Sequence, residues 1–203
     1  ARYFAPKVVD ERYRDKMNTE ADLAEAGLLA RGYIDLDPVA LDYSMTIAAA
    51  VIGLNYSSIP GMGRRLESFF NSPRLVDSSQ WMQYRENYRG MARLARFWAM
   101  DVRPAIKAHR REEIDDVMGH MVKDGYKDAE ILIECITYAA AGMVTTREFI
   151  SMAALVLLEN PDLLADYRSG DVERRYAVLH EILRLHPVVT RLSRKVVSDY
   201  SMP

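Results

Sequence analysis

The chain has 203 residues, 27 of them basic and 29 acidic, for a formal net charge of −2, so charge gives no reason to expect nucleic acid or an acidic partner. Apolar residues make up 49% and charged residues 28%, the balance of a water-soluble domain with a sizeable core. A single cysteine, Cys135, excludes an internal disulfide or a multi-cysteine metal site; with no apolar leader segment, a reducing cytoplasm is the expected setting.

Helical periodicity dominates from end to end, and almost nothing alternates with period two. The expected fold is all-α, with residues 1–203 as a single α-helical unit. Lys7 to Ala30 reads as one or two polar helices ending near Arg31-Gly32. A second helix starts at Asp35-Leu-Asp-Pro38, with Asp37 as cap and Pro38 in the first turn, and runs to about Leu54. Its apolar face is Val39, Tyr43, Met45, Ala49 and Ile52. Asn55 to Gly61 has loop chemistry, Leu66 to Phe70 suggests a short helix, and Asn71-Ser-Pro73 suggests a break. Gln80 to Arg110 reads as a long helix kinked or split at Pro104. Arg111 to Lys123 reads as a charged helix stopped at Asp124-Gly125.

Asp128 to Glu159 is the longest apolar helix, about 45 Å at ~1.5 Å per residue. Glu134, Arg147 and Glu148 interrupt its apolar run, so no stretch is expected to cross a membrane. Asn160-Pro161 ends it; helices follow at Asp162 to Tyr167 and from Asp171 or Val172 to Leu185. Val188 to Val197 is rich in β-branched residues and reads as extended.

Two segments carry chemistry. Inside the long helix, Ala141-Gly142-Met-Val144-Thr145-Thr146 places small and hydroxylic residues where helices prefer alanine or leucine. Glycine removes bulk, so either a planar group or a neighbouring helix can approach the backbone there. A threonine hydroxyl can bond the carbonyl one turn back, bending the helix and opening a groove. Further on comes Glu181-Ile-Leu-Arg184-Leu-His-Pro187-Val188-Val189. Glu181 and Arg184 share a helix face and can pair through two hydrogen bonds.

In this order, the two segments resemble the oxygen-groove helix and the Glu-x-x-Arg helix of the cytochrome P450 family. The resemblance covers most of the chain and implies a soluble, bacterial-type heme-thiolate monooxygenase. Such an enzyme inserts one atom of dioxygen into an apolar small-molecule substrate, with electrons from a ferredoxin-type partner. It implies that Ala141 and Gly142 border the heme, that Thr145 and Thr146 serve oxygen activation, and that Glu181 and Arg184 form a structural ion pair. By position, Arg194 takes the role of the arginine on a heme propionate, with Arg191 its rival, and Val188 and Val189 line the substrate pocket. The family's acid before the first threonine is here Val144, so Glu148, three residues after Thr145, is the candidate carboxylate. Gln80 to Arg110 corresponds to lid helices. The family's heme-ligating cysteine loop and N-terminal part have no counterpart, so truncation at both ends is expected.

Cys135 lies within the long helix and reads as a buried structural thiol rather than a heme ligand. Glu113, Asp116 and His120 would share a face of the Arg111 to Lys123 helix. A di-iron site would need that cluster repeated on other helices, so a solvated face is the expectation. The rival reading of the whole chain is a heme-free fragment or degenerate relative. It would act as an α-helical interaction module, without catalysis, with self-association through apolar surface.

Overall fold

The computed structural model describes Tyr3, residues 5–70 and residues 80–191. Among these the fold is all-α, with no strand. The described residues fall into two compact units, 1–147 and 148–203.

In the first unit, α1 (Pro6–Arg31) opens on a proline in its first turn and closes at Gly32, whose φ of 76° suits a residue without a Cβ. Helix α2 (Leu36–Ile52) is capped by Asp35, which accepts a hydrogen bond from the Asp37 N–H at 3.2 Å. The expected cap was Asp37. The helix begins earlier because Pro38, at its third position, lacks only an N–H that would have had no helical partner. The buried residues of α2 are Ala40, Leu41, Ser44, Ile47, Ala49, Val51 and Ile52; of the expected face only Ala49 and Ile52 are among them, while Val39, Tyr43 and Met45 are half-buried.

Helix α3 (Met62–Phe70) starts four residues before the expected Leu66; Asn71-Ser-Pro73 lies outside the described residues. Helix α4 (Gln80–Phe97) leads into a π-helical turn, π1 (Trp98–Val102), and then α5 (Arg103–His109). The break expected at Pro104 takes that form: the proline sits in the first turn of α5, where its missing donor matters least.

The charged helix expected over Arg111 to Lys123 is only its second half, α6 (Val117–Lys123). Asp116 ends the preceding loop by accepting from the Gly119 N–H at 2.8 Å. The loop is held to α1 by Asp115, which takes hydrogen bonds from Tyr3 and Arg12.

The long helix appears as α7 (Asp128–Ala139), a second π-helical turn π2 (Ala140–Val144), and α8 (Thr145–Glu159). Within α7 and π2, Ile131, Cys135, Ala139 and Met143 recur every four residues and are at most 1% exposed. They join Phe97, Val102, Ile106 and Met118 in the core. Burying each larger side chain contributes about 1.5–3 kcal/mol. Despite the charges noted in the sequence, the 32 residues Asp128–Glu159 hold an 18-residue window of mean hydropathy 1.4, long and apolar enough to cross a membrane by length and composition alone. The buried stripe shows that the α7 end of this run serves as a core helix of the first unit.

In the second unit, α8 is followed by α9 (Pro161–Ser169) and α10 (Val172–Leu185). Ala153 and Leu157 of α8 pack with Val178 and Ile182 of α10. Asp171 caps α10 by accepting from the Arg174 N–H at 2.8 Å. Residues 188–191 form no regular element, and the rest of the expected extended segment lies outside the described residues.

Candidate functional site

The geometry around Ala141 and Thr145 begins with the π2 turn. A π turn widens the helix and disturbs its regular carbonyl pairing. The Thr145 hydroxyl donates back to the Ala141 carbonyl. From α2, buried Ser44 reaches the Met143 carbonyl at 3.1 Å, with the Leu41 carbonyl at the same distance. Ser44 had not been singled out from sequence; only the tertiary fold brings it to this turn.

Gly142 faces α2. A Cβ added there would lie 3.5 Å from the Ala48 Cβ, ordinary packing distance. The glycine therefore sits against α2 without a clash that would demand the missing Cβ. Ala141 is exposed, in a row with Ile133, Thr137 and, a turn later, half-buried Thr145. These positions lie two residues from the core stripe, so they occupy the opposite side of the helix. Thr137 bonds the Ile133 carbonyl at 2.9 Å, so both threonine hydroxyls are tied to the helix and the face is small and largely apolar. Ala141, Gly142 and Thr146 together border an apolar groove of about 360 Å³ between α1, α2 and the π2 turn, shared with Tyr43, Ile47 and Tyr138.

Glu148 is exposed in the first turn of α8. Arg147 pairs with Asp37 at 2.8 Å and Glu67 at 3.3 Å, which fastens the end of the first unit to α2 and α3. On α10, Arg184 holds Glu181 through two hydrogen bonds of 2.8 and 2.6 Å. The pair forms as expected, on an exposed face. The Arg184 hydrogen bonds hold the Glu181 carboxyl below its ordinary pKa. Val188 is half-buried, and Val189 and Arg191 are exposed; Arg194 lies outside the described residues.

Two buried ionic clusters had no clear signature in the sequence. His109 closes α5 with its ring fully buried. Its Nδ1 lies 2.8 Å from the Ala105 carbonyl, and its Nε2 lies 2.9 and 2.8 Å from the two Asp116 oxygens. Every one of those partners can accept a hydrogen bond, an arrangement that suits a ring protonated on both nitrogens. Burial alone would lower its pKa, but the Asp116 hydrogen bond, the Ala105 carbonyl and the Asp116 charge outweigh it and raise the pKa. Asp116 thus serves His109 and the α6 cap together, which removes it from the metal cluster considered with Glu113 and His120. Among the described residues no group of three His, Cys, Asp or Glu side chains could hold a metal ion. The second cluster joins fully buried Asp101, on π1, to Arg65 of α3 at 2.8 and 2.6 Å, with Ser57 donating at 2.7 Å.

Cys135 is buried on the core stripe, and burial pushes its thiol up to about 12.

No family model and no curated protein matches the chain. Among solved structures, the chain is similar to one from a crystal structure of P450BioI in complex with hexadec-9Z-enoic acid ligated acyl carrier protein. The TM-score is 0.66 at 20% identity, over 89% of this chain and 46% of that one. The chain therefore spans just under half the length of the solved chain it matches. At this identity the likeness concerns the fold.

Proposed function

We propose that this chain is the central part of a heme-thiolate monooxygenase of the cytochrome P450 type, acting on an apolar small molecule in the cytoplasm and fed by a ferredoxin-type partner. The observation that carries the reading is the Thr145 hydroxyl on the Ala141 carbonyl at a π turn in the longest apolar helix. It sits in the segment whose sequence resembles the family's oxygen groove. The likeness of fold supports it, since a matched chain more than twice as long as the aligned stretch suits an oxygenase better than a small carrier protein.

The residues present fit one side of a heme and do not supply its thiolate. Ala141 leaves room for a planar group, Ile133 and Thr137 extend the face, and Thr145 offers a hydroxyl oxygen to a water. Glu148 is the proposed carboxylate in place of Val144, and Arg194 or Arg191 the proposed propionate partner. A thiolate has to come from residues outside this sequence, because Cys135 is buried in the core. When bound, heme supplies the oxygen activation and redox chemistry; this chain shapes and partly dries the space beside it.

Thr145→Val in the full-length, heme-loaded enzyme tests the role of the groove. The expected result is a fall of at least tenfold in product formed per dioxygen consumed, with substrate binding retained. Unchanged coupling would remove Thr145 from the mechanism.

A second reading has its own observation. Ile133 is 63%, Leu155 51% and Leu158 72% exposed, far more than the long apolar helix of an isolated soluble protein leaves open. On that reading the chain is a heme-free helical module that self-associates. Light scattering across a concentration series discriminates: a monomer at all concentrations argues against it.

A further inference from the structure

We infer that the cleft between α3 and α4 is a binding site for the phosphate group of a small, polar phosphate monoester or diphosphate. The cleft has a volume of about 520 Å³ and is lined by Arg64, Arg65, Arg93 and Arg96, with Ser68 and the Pro60-Gly61 turn. Among the described residues four guanidinium groups line it and no carboxylate does, in a chain whose net charge is −2.

The four arginines are not equivalent. Arg65 is spent on structure: it holds Asp101 through two hydrogen bonds and bonds the Ile59 and Pro60 carbonyls at 3.0 and 2.7 Å. Arg93 faces Glu86 at 3.6 Å. Arg64 and Arg96 are exposed and have no ion pair or hydrogen bond among the described residues. Arg64 stands on α3 and Arg96 on α4, so two uncompensated forks reach one cleft from different helices. The like charges of Arg64 and Arg96 repel one another, and an anion placed between them relieves that repulsion. A guanidinium fork matches phosphate oxygens with paired hydrogen bonds, and two forks match a dianion. The volume leaves room for more than the phosphate. The lining of arginines with Ser68, Pro60 and Gly61 includes no large apolar side chain that would hold a lipid chain.

Calorimetric titration of the natural full-length protein with pyrophosphate and with inorganic phosphate, at low ionic strength, tests the site. Three proteins are compared: wild type, Arg64→Gln/Arg96→Gln, and Arg103→Gln as a control for an exposed arginine outside the cleft. The expected result is saturable one-site binding, tighter for pyrophosphate. It should weaken at least tenfold in the double variant and stay unchanged in Arg103→Gln. Equal affinity in the double variant, equal weakening in the control, or non-saturable heats would overturn the assignment. Both positions are exposed, so the double variant should melt with wild type. Should it fail to fold, Arg64→Lys/Arg96→Lys replaces it: weaker binding supports the paired-fork site, and unchanged affinity overturns it.

Discussion

Asp116→Ala is expected to lower the stability of the first unit by about 3–5 kcal/mol, the cost of removing one partner from a buried ion pair. The substitution leaves the buried His109 ring without its carboxylate and the Gly119 N–H without its cap. The site has little room to adjust. A Cβ at Gly53 would meet an Asp116 oxygen at 2.6 Å, and one at Gly119 would meet the Ile114 carbonyl at 1.8 Å. Urea unfolding followed by circular dichroism measures the loss.

The same pair sets a pH dependence whose sign is fixed. The folded His109 pKa is raised above its unfolded value. Its contribution is therefore complete below the unfolded pKa, about 6.5, and disappears as pH rises through the folded one. Wild type should lose stability from about pH 6 upward through that window. Asp116→Asn, which keeps a capping oxygen but not the charge, should flatten the curve. A wild-type curve that rises across this window would contradict a ring protonated on both nitrogens.

Asp101→Ala should cost about 3 kcal/mol or more for the same reason. Asp101 is fully buried on π1 and takes three hydrogen bonds, two from Arg65 and one from Ser57. Without it, the Arg65 cation is left in a site where only 11% of its side chain reaches water. The damage should be local as well as global. Arg65 also gathers the Ile59 and Pro60 carbonyls, so the 53–61 loop and α3 should become the first sites of proteolytic cleavage. Asp101→Asn keeps acceptor capacity on one side and should cost less.

The helices were legible where local chemistry decides them. Gly32 ends α1 in the left-handed conformation, Asn160-Pro161 separates α8 from α9, and α10 starts after Asp171. What sequence could not show depends on distant partners. Ser44 meets the π2 turn from a helix 99 positions away. Asp116 ends a loop rather than continuing a helix because His109 and Gly119 claim its carboxylate together. The small and hydroxylic residues at 141–146 were visible in the long helix, but not which of them meets α2; the position of Ala48 beside Gly142 comes only from the tertiary fold. The Glu181–Arg184 pair followed from spacing alone, whereas its exposure depends on what packs against α10.

The central claim, that this chain is part of a heme-thiolate oxygenase, is tested most directly by the visible spectrum of the natural full-length protein, reduced and exposed to carbon monoxide. The account predicts the red-shifted Soret band of thiolate-ligated heme, unchanged by Cys135→Ser and absent from residues 1–203 alone. A full-length protein without a Soret band, or with an unshifted one, would contradict it.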